Sequence, residues 1–150
     1  MSQKIGIIGA GAWGTAMGIS LAKKGQEVEL WALEADVVES INTVHENKKF
    51  LPGFIAPENL TASADIKKVA SGKDFLILAS PSLYLARTMK GLLDVPNIAD
   101  GSTCIGILTK GFIPSEGSPK LILETLEGVL PESYKKNLVY IAGPSHAEEV

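Results

Sequence analysis

The stretch KIGIIGAGAWG, Lys4–Gly14, decides the fold of this 150-residue chain. Its first half, KIGIIG, is a short apolar run that ends in glycine, which is typical of a buried strand. Its second half, GAGAWG, has glycine at its first, third and sixth positions, and helix-forming residues follow it up to Lys24. A glycine-rich turn between a strand and a helix predicts a cradle for the pyrophosphate of a dinucleotide.

Each glycine of this turn has its own predicted role. Gly9 permits the tight turn, Gly11 lets the backbone approach a pyrophosphate, and Gly14 allows the helix to pack closely on the strand. The backbone N–H groups of Ala12 and Trp13 are expected to point at the pyrophosphate, whose charge the helix amino terminus stabilises. The alternative is a glycine turn that serves packing alone.

Strand and helix patterns alternate along the rest of the chain. Strands are predicted at 4–9, 27–31, 60–62, 74–79, 102–108 and 138–142, and helices at 13–24, 36–44, 65–69, 82–93, 119–130 and from 147. The run DFLILA at Asp74–Ala79 has no polar alternation, so both faces of its strand are expected to be covered, as in a parallel sheet. The alternation predicts an α/β fold, a Rossmann-type doubly wound, mostly parallel sheet with helices on both faces, and a nucleotide-binding domain over residues 1–150.

The composition excludes several classes of protein. Apolar residues make up 45% and charged residues 21% of the chain, which argues against disorder and against a coiled coil. Fourteen basic and seventeen acidic residues give a net charge of −3 with no basic stripe, so nucleic acid is not expected as a partner. No apolar run approaches the roughly 20 residues of a membrane span, so none is expected.

Cysteine and histidine are scarce. Cys104 is the only cysteine, so no internal disulfide can form, and a reducing compartment, the cytoplasm, is the expected location. Because Cys104 lies within an apolar strand, a small core residue is predicted there. His45 and His146 are not closely paired with other metal-ligating residues, so no metal site is expected.

Five blocks of sequence, the glycine turn among them, point to a known family. They are GAGAWGTA, WALEAD, INTVHENKKFLPGFIAPENLTASADI, TKG at Thr109–Gly111 and GPSHAEEV at Gly143–Val150. Together they resemble the amino-terminal domain of NAD(P)-dependent glycerol-3-phosphate dehydrogenases, over essentially the whole chain. The resemblance implies an oxidoreductase that interconverts dihydroxyacetone phosphate, a phosphorylated triose, and sn-glycerol 3-phosphate with NAD(H), supplying glycerol 3-phosphate for phospholipid synthesis.

The resemblance also implies parts that lie outside this chain. A helical substrate domain is expected beyond residue 150, and the full-length enzyme is expected to be a homodimer. The proton-donor lysine and the phosphate-binding residues are expected in that second domain, so no catalytic residue is assigned with certainty within this chain.

Several residues after predicted strands are implied as contacts of substrate or cofactor. Lys110 lies at the carboxyl end of a strand, where open α/β sheets bind ligands, and the resemblance implies that it contacts both substrate and cofactor. Its ammonium would stabilise the negative charge on a carbonyl oxygen as hydride arrives. Gly143 and Ser145 are implied as substrate contacts and Ala147 as a neighbour of the nicotinamide, although Ser145 also suits an ordinary helix N-cap.

Glu34 follows the second predicted strand, twenty residues after Gly14. An acidic residue at this place accepts hydrogen bonds from the adenosine ribose of NAD and repels the 2′-phosphate of NADP. Leu33 is expected to lie against the adenine. No arginine is near in sequence, because Arg87 belongs to a later helix, so NAD is the expected cofactor and NADP is less favoured. A solvated glutamate at a strand end is the alternative.

The roles of two aromatic residues have two explanations each, and two other functions compete with the one implied by the resemblance. Phe50 and Tyr84 match aromatic residues that contact the cofactor in the family, and packing of the loop or core explains them equally well. A related β-hydroxyacid or ketopantoate-type dehydrogenase and a non-catalytic NAD-sensing domain are the competing functions. The HENKKFLPG and GPSHAEE blocks weigh against the first, and Lys110 with Ser145 at adjacent strand ends favours chemistry over sensing.

Overall fold

The computed structural model describes residues 1–115, 117–143 and 146–150, and its centre is a parallel sheet. The strands of this sheet are β1 (Lys4–Ile8), β2 (Glu27–Trp31), β3 (Leu60–Ser63), β4 (Phe75–Leu78), β5 (Cys104–Ile107) and β8 (Val139–Tyr140). Their order across the sheet is β3-β2-β1-β4-β5-β8, and every neighbouring pair is parallel. A separate antiparallel pair joins β6 (Phe112–Ile113) to β7 (Lys120–Leu121).

Helices connect the strands and cover the sheet. They are α1 (Ala12–Lys23), α2 (Ala35–Val44), α3 (Ile66–Ala70), α4 (Ser82–Lys90), α5 (Pro96–Ala99) and α6 (Ile122–Glu127), with 3₁₀ turns at Glu132–Tyr134 and Ala147–Glu149. A parallel pair of strands requires a crossover connection, and the β1-α1-β2 unit at the amino terminus supplies the first of these.

Two apolar cores lie on the two faces of the sheet. Ile7 and Leu30 belong to the core beneath α1 and α2, whereas Ile8 and Leu76 belong to the core beneath α4 and α6. Because successive side chains of a strand point to opposite faces, a strand that serves both cores must be apolar throughout. The unbroken run of β4 has this cause, and the predicted doubly wound parallel sheet with helices on both faces is confirmed.

The predicted helix at 119–130 is only partly correct. Lys120 and Leu121 pair with Ile113 and Phe112 in the antiparallel pair, so the helix begins at Ile122 and ends before Gly128. The helix predicted at 82–93 ends at Lys90, because Gly91 caps it. The short helix α5 was not predicted, although Pro96 at its first position is a helix-start signal.

Cys104 is not a core residue, so this prediction is wrong. It is the first residue of β5 and its side chain is exposed, whereas the next residue, Ile105, is fully buried. The apolar run is continuous in sequence, but at the amino end of the strand only one of its two faces is covered.

Candidate cofactor-binding site

A cavity of about 1050 Å³ lies along the carboxyl edge of the sheet, from the end of β2 past the glycine turn to the end of β5. Strand order reverses between β1 and β4, and ligands of open α/β sheets bind at such a reversal. Most of the residues predicted to bind the cofactor line this cavity. They are Gly9, Gly11, Ala12, Trp13, Leu33, Glu34, Phe50, Tyr84 and Lys110.

The geometry of the turn agrees with the packing roles predicted for Gly9 and Gly14, and it leaves open space at Gly11. Gly9 has a φ of +126°, and a Cβ there would lie 2.7 Å from the carbonyl carbon of Ala79, so the turn needs glycine for both conformation and space. A Cβ on Gly14 would collide with the carbonyl oxygen of Gly9, so this position serves packing of α1 on the turn. A Cβ on Gly11 would meet nothing within 4 Å among the described residues and would occupy space open to a ligand.

The amino terminus of α1 presents donors to this open space. Gly11 is its N-cap, and within the described part of the chain no side chain caps the helix. The backbone N–H groups of the first turn, those of Ala12 and Trp13 among them, have no partner inside a helix and form the positive end of its dipole. The space beside Gly11 and these donors fit a pyrophosphate.

Asn47, which the sequence analysis passed over, ties the long 46–59 loop to the glycine turn. Its side chain is 1% exposed, and its Nδ2 donates to the carbonyl oxygen of Ala10 and to Thr15 Oγ1, both at 2.8 Å. Its Oδ1 accepts from the backbone N–H of Phe50 at 3.1 Å. Asn47 lies in the HEN segment of the quoted family block, which marked it as a candidate. No sequence pattern, however, shows which turn its side-chain amide contacts.

The same loop brings an aromatic ring to the cavity and a cation beside that ring. Leu51 anchors the loop in the core with 2% exposure, and Phe50 beside it lines the cavity. Lys49 Nζ lies 5.3 Å from the centroid of the Phe50 ring. The structure therefore places Phe50 at the site, where both of its predicted roles, loop packing and cofactor contact, remain compatible.

Lys110 lies at the β5 end of the cavity. Its Nζ is 4.8 Å from the centroid of the Trp13 ring, a cation–π distance that holds the ammonium beside the first turn of α1. The preceding residue, Thr109, is buried, and its Oγ1 donates to the carbonyl oxygen of Ser80 at 2.7 Å. This hydrogen bond fixes the end of β5 against the end of β4, so the backbone that carries Lys110 is held in place.

Glu34 lies at the β2 end of the cavity, and it is not the only charged group of the site. Lys49 Nζ lies 3.6 Å from Glu34 Oε1, and Arg87 lines the same cavity from α4. Sequence distance concealed both cations, because Lys49 comes from the 46–59 loop and Arg87 from a later helix.

The remaining predicted residues lie apart from the cavity or outside the description. Gly14 packs behind the turn, Gly143 is exposed beyond β8, and Ala147 is 7% exposed in the core against α1. Ser145 falls outside the described residues.

Within residues 1–115, 117–143 and 146–150, no helix is long and apolar enough to cross a membrane. The same residues contain no group of three or more His, Cys, Asp or Glu side chains that could hold a metal ion.

The parallel sheet, the glycine turn and the cavity at the strand reversal define a dinucleotide-binding domain of the Rossmann type. Comparison with known proteins narrows this class. Residues 4–150 match the model of the family described as NAD-dependent glycerol-3-phosphate dehydrogenase N-terminus, and the chain belongs to that family.

Individual relatives agree with this assignment. Glycerol-3-phosphate dehydrogenase [NAD(P)+] of Treponema denticola is 49% identical over 156 aligned positions, which cover 100% of this chain and 44% of the relative. The enzyme of the same name from Bacillus velezensis is 38% identical, with 99% and 41% covered. The crystal structure of glycerol-3-phosphate dehydrogenase from Coxiella burnetii superimposes with a TM-score of 0.84 at 32% identity, covering 99% of this chain and 43% of that one. The chain thus spans less than half the length of these relatives.

Proposed function

We propose that the whole protein is an oxidoreductase that interconverts dihydroxyacetone phosphate and sn-glycerol 3-phosphate with NAD(H), and that this chain is its cofactor-binding domain. One observation supports this above all: a single cavity joins the glycine turn, Glu34 after β2 and Lys110 after β5. The curated relatives carry the name of the same activity. Their family model supports a nicotinamide cofactor.

Different residues of the cavity would bind different parts of the cofactor. The first-turn amides of α1 would bind the pyrophosphate beside Gly11, Glu34 would accept from the adenosine ribose, and Leu33 would lie against the adenine. The other half of the dinucleotide then extends towards the β5 end of the cavity. When bound there, a reduced nicotinamide supplies hydride to a carbonyl carbon.

Lys110 is the group of this chain that we assign to the chemistry. Its ammonium lies at the β5 end of the cavity and would stabilise negative charge on the carbonyl oxygen of the substrate. The ring of Trp13 limits the positions open to that ammonium. The proton-donor lysine and the groups that bind the substrate phosphate are expected in a second, helical domain, and Gly143 and Ser145 remain predicted substrate contacts.

NAD is the preferred cofactor in this proposal. A 2′-phosphate carries about −1.5 to −2 charges, and at about 5 Å from Glu34 in an effective dielectric of about 20 each pair of unit charges costs about 3 kcal/mol. Screening by solvent and the ion pair with Lys49 reduce the difference between the two cofactors to about 1–2 kcal/mol, roughly a 5- to 30-fold preference for NAD.

The proposal extends to the physiological role, the oligomeric state and the location of the enzyme. The physiological role is the supply of glycerol 3-phosphate for phospholipid synthesis, the full-length enzyme is a homodimer, and it works in the cytoplasm, as the single cysteine led us to expect.

The test is the full-length protein with dihydroxyacetone phosphate and either NADH or NADPH, followed by the absorbance of the reduced nicotinamide. The proposal expects oxidation of NADH that depends on the substrate. The same assay with ketopantoate tests the related dehydrogenase function. Binding of NADH without turnover of either substrate would favour the non-catalytic sensing function.

A further inference from the structure

The β2 end of the cavity holds charges of both signs. Lys49 Nζ lies 3.6 Å from Glu34 Oε1 and 3.8 Å from Asp36 Oδ2, so one ammonium lies between two carboxylates. Glu34 faces the cavity, and its side chain is 38% exposed. The nearby ammonium therefore reduces the negative charge that Glu34 presents to a ligand, without removing it.

Arg87 lines the same cavity from α4. It follows Tyr84 by three residues on α4, so the two side chains lie on one face of that helix, and both line the cavity. The cavity also contacts Trp31, the last residue of β2, and Ile66, the first residue of α3. Arg87 and Glu34 therefore line one cavity, which also contacts the last residue of β2.

The guanidinium of Arg87 is available to a ligand. Arg87 is exposed and is the only arginine of the chain. Across residues 1–115, 117–143 and 146–150, no carboxylate oxygen lies within 4.0 Å of its nitrogen atoms. A guanidinium presents five N–H donors in a planar fork that matches the oxygen atoms of a phosphate.

We propose that Arg87 binds the 2′-phosphate of NADP and so allows this cavity to accept NADP as well as NAD. The inference rests on the proposed cofactor function and adds a residue that determines specificity. Glu34 favours the ribose diol of NAD, Lys49 weakens that preference, and Arg87 supplies a cation of the same cavity for the phosphate. Cofactor selectivity is thus a balance of three charges contributed by three separate segments of the chain.

The balance predicts how each variant moves the ratio of NADPH to NADH affinity in the full-length enzyme. Arg87→Ala removes charge-assisted contacts to the phosphate, and because an exposed guanidinium is screened by solvent, it should weaken NADPH relative to NADH by about fivefold. Lys49→Met restores the full charge of Glu34 and should shift the ratio in the same direction by about two- to fivefold. Glu34→Gln should shift it the opposite way, towards NADPH.

The experiment is a titration of wild type and variants with NADH and with NADPH, by calorimetry or fluorescence. Lys90→Ala is the matched control, because it removes an exposed cation from α4 at a position outside the described lining of the cavity, and it should leave the ratio within twofold of the wild type. Equal weakening of both cofactors by Arg87→Ala would overturn the inference, since the guanidinium would then only stack on the adenine. An unchanged ratio would overturn it as well.

Failure of this inference is distinct from failure of the proposed function. Binding of the two cofactors needs no turnover, so the ratio can be measured even if dihydroxyacetone phosphate is not reduced. An enzyme that oxidises NADH with that substrate but keeps its cofactor ratio after Arg87→Ala retains the proposed function and loses only this assignment.

Discussion

Replacement of Asn47 by alanine tests whether the link between the 46–59 loop and the glycine turn matters for cofactor binding. The change removes two hydrogen bonds of 2.8 Å to Ala10 and Thr15 and one of 3.1 Å from Phe50. At about 0.5–1.5 kcal/mol of net stabilisation each, the loss is about 2–4 kcal/mol in the free energy of unfolding. The former partners of Asn47 add little to this loss. Thr15 Oγ1 still donates to the Ala10 carbonyl at 3.3 Å, and Phe50 is partly exposed to solvent.

The expected effect on binding follows from the same contacts. Asn47 holds the carbonyl of Ala10 inside the glycine turn and the backbone of Phe50 at the cavity, so its loss should weaken NADH binding by about tenfold, or about 1.4 kcal/mol. Urea denaturation of the 150-residue chain measures the stability, and a fluorescence titration with NADH measures the affinity.

Asn59→Ala is the matched control. Asn59 lies at the other end of the loop, and its Nδ2 donates to the carbonyl oxygens of Ala22, in the last turn of α1, and Gln26, just after it, at 2.8 and 2.7 Å. This variant should lose stability and keep its affinity for NADH. If Asn47→Ala lost stability but bound NADH as the wild type does, the network would be structural only. Unchanged stability in Asn47→Ala would refute the hydrogen-bond reasoning itself.

Three further predictions concern catalysis, domain function and pH. In the full-length enzyme, Lys110→Ala should lower kcat/KM, with a loss of about 2–4 kcal/mol of transition-state stabilisation. The control is Lys120→Ala, which replaces an exposed lysine on β7 and should leave the kinetics as in the wild type. Equal kinetics in both variants would remove Lys110 from the chemistry. The 150-residue chain alone should bind NADH but not oxidise it with dihydroxyacetone phosphate, and turnover by the purified chain would contradict the expected second domain. Burial, together with the charges of Asp100 and Cys104, raises the pKa of Tyr134 to about 12, so its contribution to stability is complete below about pH 10 and is lost as the pH rises through 12. Urea denaturation between these pH values should show a steeper fall for the wild type than for Tyr134→Phe, and parallel curves would contradict the assignment.

The local conformation of the site was predictable from the sequence alone. The alternation of strands and helices, the apolar run of β4 and the spacing of Gly9, Gly11 and Gly14 depend on backbone sterics and on which face of an element is buried, and these are properties of neighbouring residues. The positions of Glu34 and Lys110 at strand ends followed from the same reasoning, since parallel strands bring their carboxyl ends to one edge of the sheet. The fold class, the turn and the cavity are therefore consequences of short-range pattern.

The charge balance and the support of the site were decided only by the tertiary structure. Asn47, Lys49 and Arg87 reach the site from a long loop and a later helix. Asn47 lies 37 positions from Ala10, to whose carbonyl oxygen it donates, and Arg87 lies 53 positions from Glu34, with which it lines one cavity. Cys104 and the β6–β7 pair depart from prediction for a related reason, because exposure at a strand end and antiparallel pairing depend on what packs nearby. Charges and hydrogen bonds act over a few ångströms of space whatever the separation in sequence, so only the folded chain shows which of them meet.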